Sequence, residues 1–278
     1  MKDLYAQTTF GCSKLITKKY STSFSLGIQT LHKDLHDPIY AIYGFVRYAD
    51  EIVDTFHDFN KKELLDRFSE DTFKAIEEGI SLNPVLHSFQ QVVNEYNIDH
   101  GLIKAFLFSM ELDLEDHNYD QSLYEKYIYG SAEVVGLMCL WVFVKGDKKE
   151  YNRLEAPAKA LGAAFQKVNF LRDMRSDFYD RGRVYFPGVD FNKFTDEIKK
   201  DIEADIQKDF DHAHEGIVEL PEKAKAGVYL AYIYYLKLFK KIKKSSSKKV
   251  LAERIRVPDF RKIVLLLSTY FRIRLDFI

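Results

Sequence analysis

Apolar residues recur every three or four positions along most of the chain, which is the helical period. No segment shows the sustained apolar–polar alternation that is typical of a half-buried strand. No linker rich in proline, glycine or serine divides the sequence, so we expect residues 1–278 to form a single all-α domain. The predicted helices are 4–19, 38–58, 61–79, 84–96, 99–116, 121–144, 148–178, 195–218, 221–244 and 258–275.

Composition narrows the class of protein. The 41 basic and 42 acidic residues nearly cancel, which excludes a strongly basic nucleic-acid binder, so we expect no nucleic-acid partner. Two distant cysteines predict neither a disulfide framework nor a cysteine metal site, and they favour a reducing, cytoplasmic location. The start of the chain lacks the apolar run of a signal peptide. The eleven-residue apolar run 134–144 is too short for a membrane span, which needs about 20 residues.

The predicted helix that begins at Pro38 is apolar on nearly all sides, which is typical of a buried helix. Four polar side chains nevertheless fall on one stripe of this helix: Tyr43, Arg47, Asp50 and Asp54. Buried carboxylates need a cation or a proton to offset the cost of desolvation. A divalent ion near Asp50 and Asp54 would meet that need, and an all-oxygen site favours Mg²⁺ over zinc.

The spacing Asp-x-x-x-Asp is weak evidence by itself, because it occurs six times in the chain. The aspartates between residues 201 and 209 lie among lysines, which is typical of a solvated helix face. Only Asp50 with Asp54, and Asp173 with Asp177, lie on apolar helices that also carry a nearby arginine. These two pairs are therefore the candidates for a functional site.

A second polar stripe lies on the predicted helix 148–178, and Arg172 stands beside it. Arg183 and Tyr185 lie in the turn that follows, and we expect both side chains to reach a bound ligand. Taken alone, this helix is equally compatible with a salt-bridged surface helix. The members of the stripe are Gln166, Asn169, Asp173 and Asp177.

Two carboxylate pairs that face one cavity would hold metal ions, and the metals together with the arginines would hold a diphosphate. The abundant aromatic and aliphatic residues would line the rest of the cavity. Such a site suits a long hydrocarbon with a diphosphate head. Metal-assisted loss of diphosphate would leave an allylic cation, which the site must protect from water.

The motifs resemble those of the squalene/phytoene synthases, the head-to-head prenyl transferases with the all-α isoprenoid synthase fold, a helical bundle around a central apolar cavity. The resemblance runs from YSTSFSLGIQTL at residues 20–31 to RIRVPDFRKI at 254–263. Its most specific parts are DEIVD at 50–54, QKVNFLRDMRSD at 166–177 and DRGRVYFP at 180–187. The segment YIYGSAEVVGLM at 127–138 is more similar to bacterial phytoene synthases than to squalene synthases.

The resemblance implies a role for each matching residue. It implies Mg²⁺ as the cofactor, with Mn²⁺ as an alternative, and prenyl diphosphates as substrates. The implied metal ligands are Asp50, Asp54, Asn169, Asp173 and Asp177. The implied substrate contacts are Tyr20, Ser21, Thr22, Ser23, Tyr43, Arg47, Tyr129, Gln166 and Arg172. The implied catalytic residues are Tyr43 and the four aspartates Asp50, Asp54, Asp173 and Asp177.

Four positions depart from the family pattern. Ser176 stands where many relatives carry an acid, and Tyr20 replaces a frequent histidine. Arg256 aligns with a tyrosine that contacts diphosphate in the family, and Glu133 replaces a small residue. These departures change single contacts and leave both aspartate motifs in place.

The leading hypothesis is a phytoene synthase-like enzyme that joins two geranylgeranyl diphosphates and needs no NADPH. The first alternative has the same fold and uses farnesyl diphosphate to make squalene, dehydrosqualene or hydroxysqualene. An alternative from another class is a non-catalytic helical interaction protein. The lysines at 237–249 predict a solvated face, with peripheral contact to an anionic membrane as the alternative. We expect Asp50→Asn or Asp173→Asn to abolish turnover with little loss of stability.

Overall fold

The computed structural model describes residues 2–115 and 119–255, apart from the side chains of Lys2 and Arg181. These residues form helices and no strand, which confirms the all-α prediction. The helices are α1 (Lys2–Tyr20), α2 (Thr22–Thr30), α3 (His36–Asp54), α4 (Lys61–Glu78), α5 (Pro84–Tyr96), α6 (His100–Leu112), α7 (Gln121–Ile128), α8 (Val134–Phe143), α9 (Lys148–Arg181), α10 (Asp196–Val218), α11 (Glu222–Lys243) and α12 (Ser247–Ala252). A π-helical turn, Tyr129–Glu133, joins α7 to α8.

Two helices were absent from the prediction. Both are short: α2 has nine residues and α12 has six, so neither shows enough turns for a clear period. Ser21 caps α2 by accepting a hydrogen bond from the N–H of Phe24, which is a start signal that the sequence contained. The predicted helix 258–275 and Arg256 lie outside the described residues. The single domain over residues 1–278 stays a prediction.

The ends of the long helices follow local chemistry. The Asn83 side chain accepts hydrogen bonds from Val85 and Leu86 at the start of α5, where Pro84 is the first helical residue. Gly182 ends α9 with a φ of +67°, a left-handed conformation that glycine adopts without steric cost. The last turns of α9 carry acidic residues of the site described below, so this cap lies close to that site.

Helix α3 is the centre of the core. Tyr40, Ala41 and Phe45 are completely buried on it. The Phe45 ring stacks on Phe89 of α5 at a centroid distance of 3.9 Å and lies 5.5 Å from Phe106 of α6. Such burial contributes about 1.5–3 kcal/mol for each large apolar side chain. The polar stripe of α3 is therefore carried by a helix that the core holds rigidly.

An apolar cavity lies among α2, α3, α8, α9, α10 and α11. Part of its wall depends on a close approach of α2 and α11. A Cβ atom on Gly227 would lie 2.4 Å from Cδ2 of Leu31, so a larger residue cannot be placed there without a shift. No helix in the described part of the chain is long and apolar enough to cross a membrane. The lysines between residues 237 and 249 are all exposed, as a solvated face requires.

Candidate active site

The cavity has a volume of about 370 Å³ and one polar end. Its deep part is lined by apolar side chains such as Leu140, Phe143, Leu154 and Leu220. Polar side chains of α3 and α9 meet at the other end, which we call the mouth. They are Tyr43, Arg47, Asp50, Gln166 and Asn169. The two polar stripes predicted from the sequence thus contribute to one cavity.

On the α3 side, Arg47 organises the charges of the mouth. Its guanidinium bonds Glu51 at 2.6 Å and lies 3.6 Å from Asp50. Burial alone would lower the pKa of Arg47, but the hydrogen bond to Glu51 and the charge of Asp50 raise it overall. Arg47 therefore stays cationic, and Asp50 keeps about a third of its side chain exposed at the mouth.

Tyr43 stands one turn deeper on the same face of α3. Burial raises the pKa of its hydroxyl to about 12, although a hydrogen bond with Ser21 and the charge of Arg47 act in the opposite direction. Tyr43 is therefore a neutral donor at ordinary pH. The Phe24 ring lies 5.4 Å from the Tyr43 ring, so the hydroxyl stands beside an apolar surface.

The segment at residues 20–23 lies on the rim of the mouth. The Arg47 guanidinium lies 4.4 Å from the centre of the Tyr20 ring, which is cation–π geometry. Ser21 caps α2 and contacts Tyr43, and Ser23 lines the cavity. Thr22 is the exposed first residue of α2. Three of these four predicted contacts thus touch mouth residues or the cavity itself.

On the α9 side, Gln166 and Asn169 line the cavity one turn apart. Their side-chain amides approach to 3.4 Å, and the Tyr235 hydroxyl of α11 donates to Asn169 at the same distance. The Tyr235 ring stacks on Phe165 at 3.9 Å, so α11 supports this part of α9. The amide oxygens are neutral acceptors, which suits them to a cation or to a bound water.

Asp173 lies one turn further along α9 and is held by two arginines. Arg172 bonds both carboxylate oxygens, at 3.0 and 2.5 Å, and Arg254 approaches to 2.7 Å. Burial alone would lower the pKa of Arg172, but the hydrogen bond and charge of Asp173 raise it overall. Two guanidiniums thus lie against this one carboxylate. Arg254 was not predicted, because no local spacing links it to a residue 81 positions away.

The structure places Arg183 and Tyr185, which the sequence predicts to reach a ligand, at a buried carboxylate outside the cavity. The Arg183 guanidinium instead bonds the Asp113 carboxylate at 2.8 Å, and the Tyr185 hydroxyl points to the same carboxylate at 3.4 Å. Neither residue lines the cavity. Asp113 is buried just after α6, where a cationic partner is needed to offset its desolvation. This requirement explains why the Arg183 side chain lies against Asp113.

Tyr129 also lies away from the cavity lining. It belongs to the π-helical turn, and the Lys159 ammonium lies 5.7 Å from its ring. Asp54 is the last residue of α3, and Asp177 is buried near the end of α9. Asp54 and Asp177 therefore flank the mouth on the two helices without lining the cavity itself.

Glu133 is half-buried in the π-helical turn. Burial raises the pKa of its carboxyl to about 7, and the charge of Lys159 only partly offsets this. Lys167 nearby bonds Asp205 at 2.5 Å and Asp209 at 2.8 Å. The prediction of a solvated face therefore holds for Asp205, whose side chain is 56% exposed, but not for Asp209, whose side chain is 20% exposed.

The donors at the mouth suit Mg²⁺ in chemical type. Asp50 and Asn169 at the mouth offer oxygen ligands, which are the donors that Mg²⁺ prefers, and Asp173 offers two more one turn further along α9, outside the cavity lining. Within residues 2–115 and 119–255, no three acidic, histidine or cysteine side chains lie close enough to hold a metal ion by themselves. Mg²⁺ in proteins commonly uses one or two carboxylates and completes its shell with water and substrate phosphates. The residues present therefore fit a metal that binds together with an anionic ligand.

Comparison with known families gives one match over most of the chain. The family model for squalene/phytoene synthase matches residues 17–261. The phytoene synthase of Arthrospira platensis is 28% identical and aligns over 93% of this chain and 91% of its own. The 4,4'-diapophytoene synthase of Staphylococcus haemolyticus is 29% identical, over 70% of this chain and 67% of its own. Phytoene synthase 1 of Solanum lycopersicum is 27% identical, and the chain covers 59% of its length.

Two solved structures share the fold. A dehydrosqualene synthase in complex with a ligand superposes with a TM-score of 0.79 over 97% of this chain and 98% of its own, at 22% identity. Squalene synthase HpnC from Alicyclobacillus acidocaldarius gives a TM-score of 0.76 over 87% of this chain and 95% of its own, at 20% identity. These likenesses show the fold.

Proposed function

Because the chain belongs to the squalene/phytoene synthase family, a family of head-to-head prenyl transferases, we propose that it condenses two geranylgeranyl diphosphates to phytoene with Mg²⁺ as cofactor. The phytoene synthases among its relatives support this substrate. The residues that would bind the ion are Asp50, Asp54, Asn169, Asp173 and Asp177.

The observation that carries the proposal is an apolar cavity with a single charged end. A prenyl diphosphate has the same division, because its hydrocarbon avoids water and its head carries several negative charges. Leu154 and Asn169 both line the cavity from α9, and fifteen residues of helix span about 22 Å. An extended prenyl chain would lie along this wall, with its diphosphate at Arg47 and Arg172.

The proposed reaction has two halves, and each releases one diphosphate and one proton. The first half joins two prenyl diphosphates into a cyclopropylcarbinyl diphosphate, and the second ionises and rearranges it to the hydrocarbon. Bound Mg²⁺ would neutralise the departing diphosphate. Arg47 would hold the phosphate oxygens, and the neutral Tyr43 hydroxyl would donate to the same group. The apolar wall would keep water from the allylic cation.

The farnesyl-using reaction remains the second candidate, because a 4,4'-diapophytoene synthase is among the relatives. A chain of fifteen carbons also fits the length of the wall along α9. The size of the cavity therefore does not separate the two substrates, and NADPH is needed only if the product is squalene. The products themselves must decide.

The test is product analysis with C15 and C20 diphosphates, each with Mg²⁺ and each with and without NADPH. Extraction of a C40 hydrocarbon from the C20 substrate, independent of NADPH, would support the proposal. A C30 hydrocarbon made only from farnesyl diphosphate would replace it with the second candidate. Folded protein that forms neither product would favour the non-catalytic interaction protein.

Two variants control this assay. Asp50→Asn removes a carboxylate at the mouth, and we expect it to abolish product formation. Asp201→Asn makes the same chemical change on an exposed position of α10, so it should leave the products unchanged. Equal activity of both variants would contradict the role of Asp50.

Membrane contact and a cytoplasmic location stay proposals as well. The exposed lysines between residues 237 and 249 would attract an anionic surface at about 1 kcal/mol each. Co-sedimentation with vesicles that contain anionic lipid tests this contact, and binding that persists in high salt would contradict an electrostatic origin.

A further inference from the structure

A buried polar cluster lies outside the cavity and joins three parts of the chain. Asp113 follows α6, Tyr127 is on α7, and Arg183 and Tyr185 follow α9. The Tyr127 hydroxyl donates to Asp113 at 2.7 Å, and Arg183 bonds the other carboxylate oxygen at 2.8 Å. Arg183 also donates to the Asp113 backbone carbonyl. We call these four residues the Asp113 cluster.

The Asp113 cluster is nearly closed to water. The side chains of Asp113 and Arg183 keep only 9% and 12% of their accessible surface, and Tyr127 and Tyr185 are buried. A buried charge that loses its partner is much more costly than an exposed one. The two charges therefore constrain each other, and the segments that carry them cannot separate easily.

The cluster is attached directly to the acidic end of α9. The backbone N–H of Arg183 donates to the Asp177 carbonyl at 2.9 Å, beside the glycine cap of the helix. The Tyr185 ring stacks on Phe170 of α9 at 4.2 Å with an angle of 10°. Phe170 and Asp177 bracket Asp173 in the sequence. Movement of the cluster would therefore displace the helix turns that carry Asp173 and Asp177.

We propose that Asp113 and Arg183 are positioning residues, which hold the end of α9 so that Asp173 and Asp177 can bind metal and diphosphate at the mouth. This inference rests on the proposed function. Arg183 and Asp113 are engaged with each other through their ion pair, and neither lines the cavity. Groups that orient metal ligands from behind typically change metal affinity by 10- to 100-fold when removed.

The experiment measures how much Mg²⁺ is needed to stabilise the full chain in the presence of inorganic diphosphate. The melting temperature is recorded against Mg²⁺ concentration for the wild type, Asp113→Asn, Arg183→Gln and their double variant. We expect each single variant to raise the half-effective Mg²⁺ concentration at least tenfold. The double variant should need no more Mg²⁺ than the more impaired of the two single variants, because the two charges act as a pair.

Leu65→Ala is the matched control for stability. Leu65 is buried on α4, which contributes no residue to the cavity lining. Its truncation should lower the melting temperature and leave the half-effective Mg²⁺ concentration unchanged. Tyr127→Phe is the milder variant, because it removes one hydrogen bond and keeps the ion pair. It should raise that concentration severalfold even if the charge variants do not fold.

The outcomes are distinct. A wild-type chain that does not respond to Mg²⁺ with diphosphate would overturn the proposed function and this inference together. A wild type that responds, with cluster variants that respond at the same Mg²⁺ concentration, would overturn the inference alone. The same would follow if Leu65→Ala shifted that concentration as much as Tyr127→Phe.

Discussion

The two acidic motifs should differ sharply in how much stability their removal costs. The sequence predicts that Asp50→Asn and Asp173→Asn both spare the fold. The surroundings of the two carboxylates change that expectation. Asp50 keeps 35% of its side chain exposed, and Arg47 next to it retains Glu51 as a second partner. Loss of an exposed pair of this kind costs less than about 1 kcal/mol.

Asp173 is more deeply buried, with 18% of its side chain exposed, and it pairs with Arg172, which is 19% exposed. An asparagine would leave the Arg172 guanidinium mostly buried without a carboxylate. Partial exposure and the neighbouring dipole reduce the full cost of a broken buried pair, so we expect a loss of about 2–3 kcal/mol. For a chain of this size that corresponds to a fall in melting temperature of about 5–10 °C.

The assay is calorimetry of wild type, Asp50→Asn and Asp173→Asn, each with and without Mg²⁺ and inorganic diphosphate. A ligand present at 100 times its dissociation constant stabilises the wild type by about 2.7 kcal/mol. Both variants should lose this gain, although only Asp173→Asn should be less stable without ligand. Asp201→Asn should behave as the wild type in both conditions.

Two results would refute the reasoning. Wild-type stability of Asp173→Asn without ligand would mean that the pair with Arg172 contributes nothing to the fold. Full stabilisation of Asp50→Asn by Mg²⁺ and diphosphate would mean that Asp50 does not hold the ligand.

Two more variants, Glu133→Gln and Gly227→Ala, test the cavity wall and its neighbourhood, and Gly11→Ala on α1 is the control for the glycine substitution. Glu133→Gln removes a carboxyl whose pKa is raised to about 7 by burial, so the folded wild type keeps a proton that the unfolded chain releases near pH 4.5. As the pH rises from 4.5 to 7, the unfolding free energy of the wild type should therefore fall relative to that of Glu133→Gln, by at most about 3 kcal/mol and by less after solvent screening. Urea unfolding at pH 5 and pH 8 measures this difference, and an equal gap between the two proteins at both pH values would contradict the prediction. Gly227→Ala should cost about 1–3 kcal/mol, because its Cβ would lie 2.4 Å from Leu31. Gly11→Ala, which meets nothing within 4 Å, should instead gain up to about 1 kcal/mol in the same thermal unfolding measurement.

Helical periodicity predicted which residues of α3 and α9 share a face, and part of each predicted stripe lines the cavity. Tyr43, Arg47 and Asp50 share one face of α3, and the structure brings that face to the cavity. Gln166 and Asn169 follow the same rule on α9. This much follows from sequence because the spacing of residues on a rigid helix determines which side chains point the same way. The ion pair between Arg47 and Glu51 also follows from local spacing, since residues four apart are neighbours on a helix.

Helical spacing did not predict the contacts between residues that are distant in the sequence. Arg183 was expected at the ligand because it follows an acidic motif, but it pairs with Asp113, which is 70 residues away. Local spacing carries no information about such a partner. The buried carboxylate decides the position of the arginine through its need for a counter-charge, and that need becomes visible only when the burial of Asp113 is known.

The charges around Asp50 at the mouth and around Asp173 on α9 make the binding of Mg²⁺ depend on the binding of diphosphate. Arg47 lies beside Asp50, and both Arg172 and Arg254 hold Asp173, so each carboxylate already has a cationic neighbour. A bare Mg²⁺ ion would gain little there and would be repelled by the guanidiniums. Diphosphate gives both the arginines and the metal an anionic partner, so each should strengthen the binding of the other by the same factor. In the calorimetric series, the increases in melting temperature with Mg²⁺ alone and with diphosphate alone should therefore add up to less than the increase with both ligands. If the two separate increases add up to the joint one, the arginines do not couple the binding of Mg²⁺ to that of diphosphate.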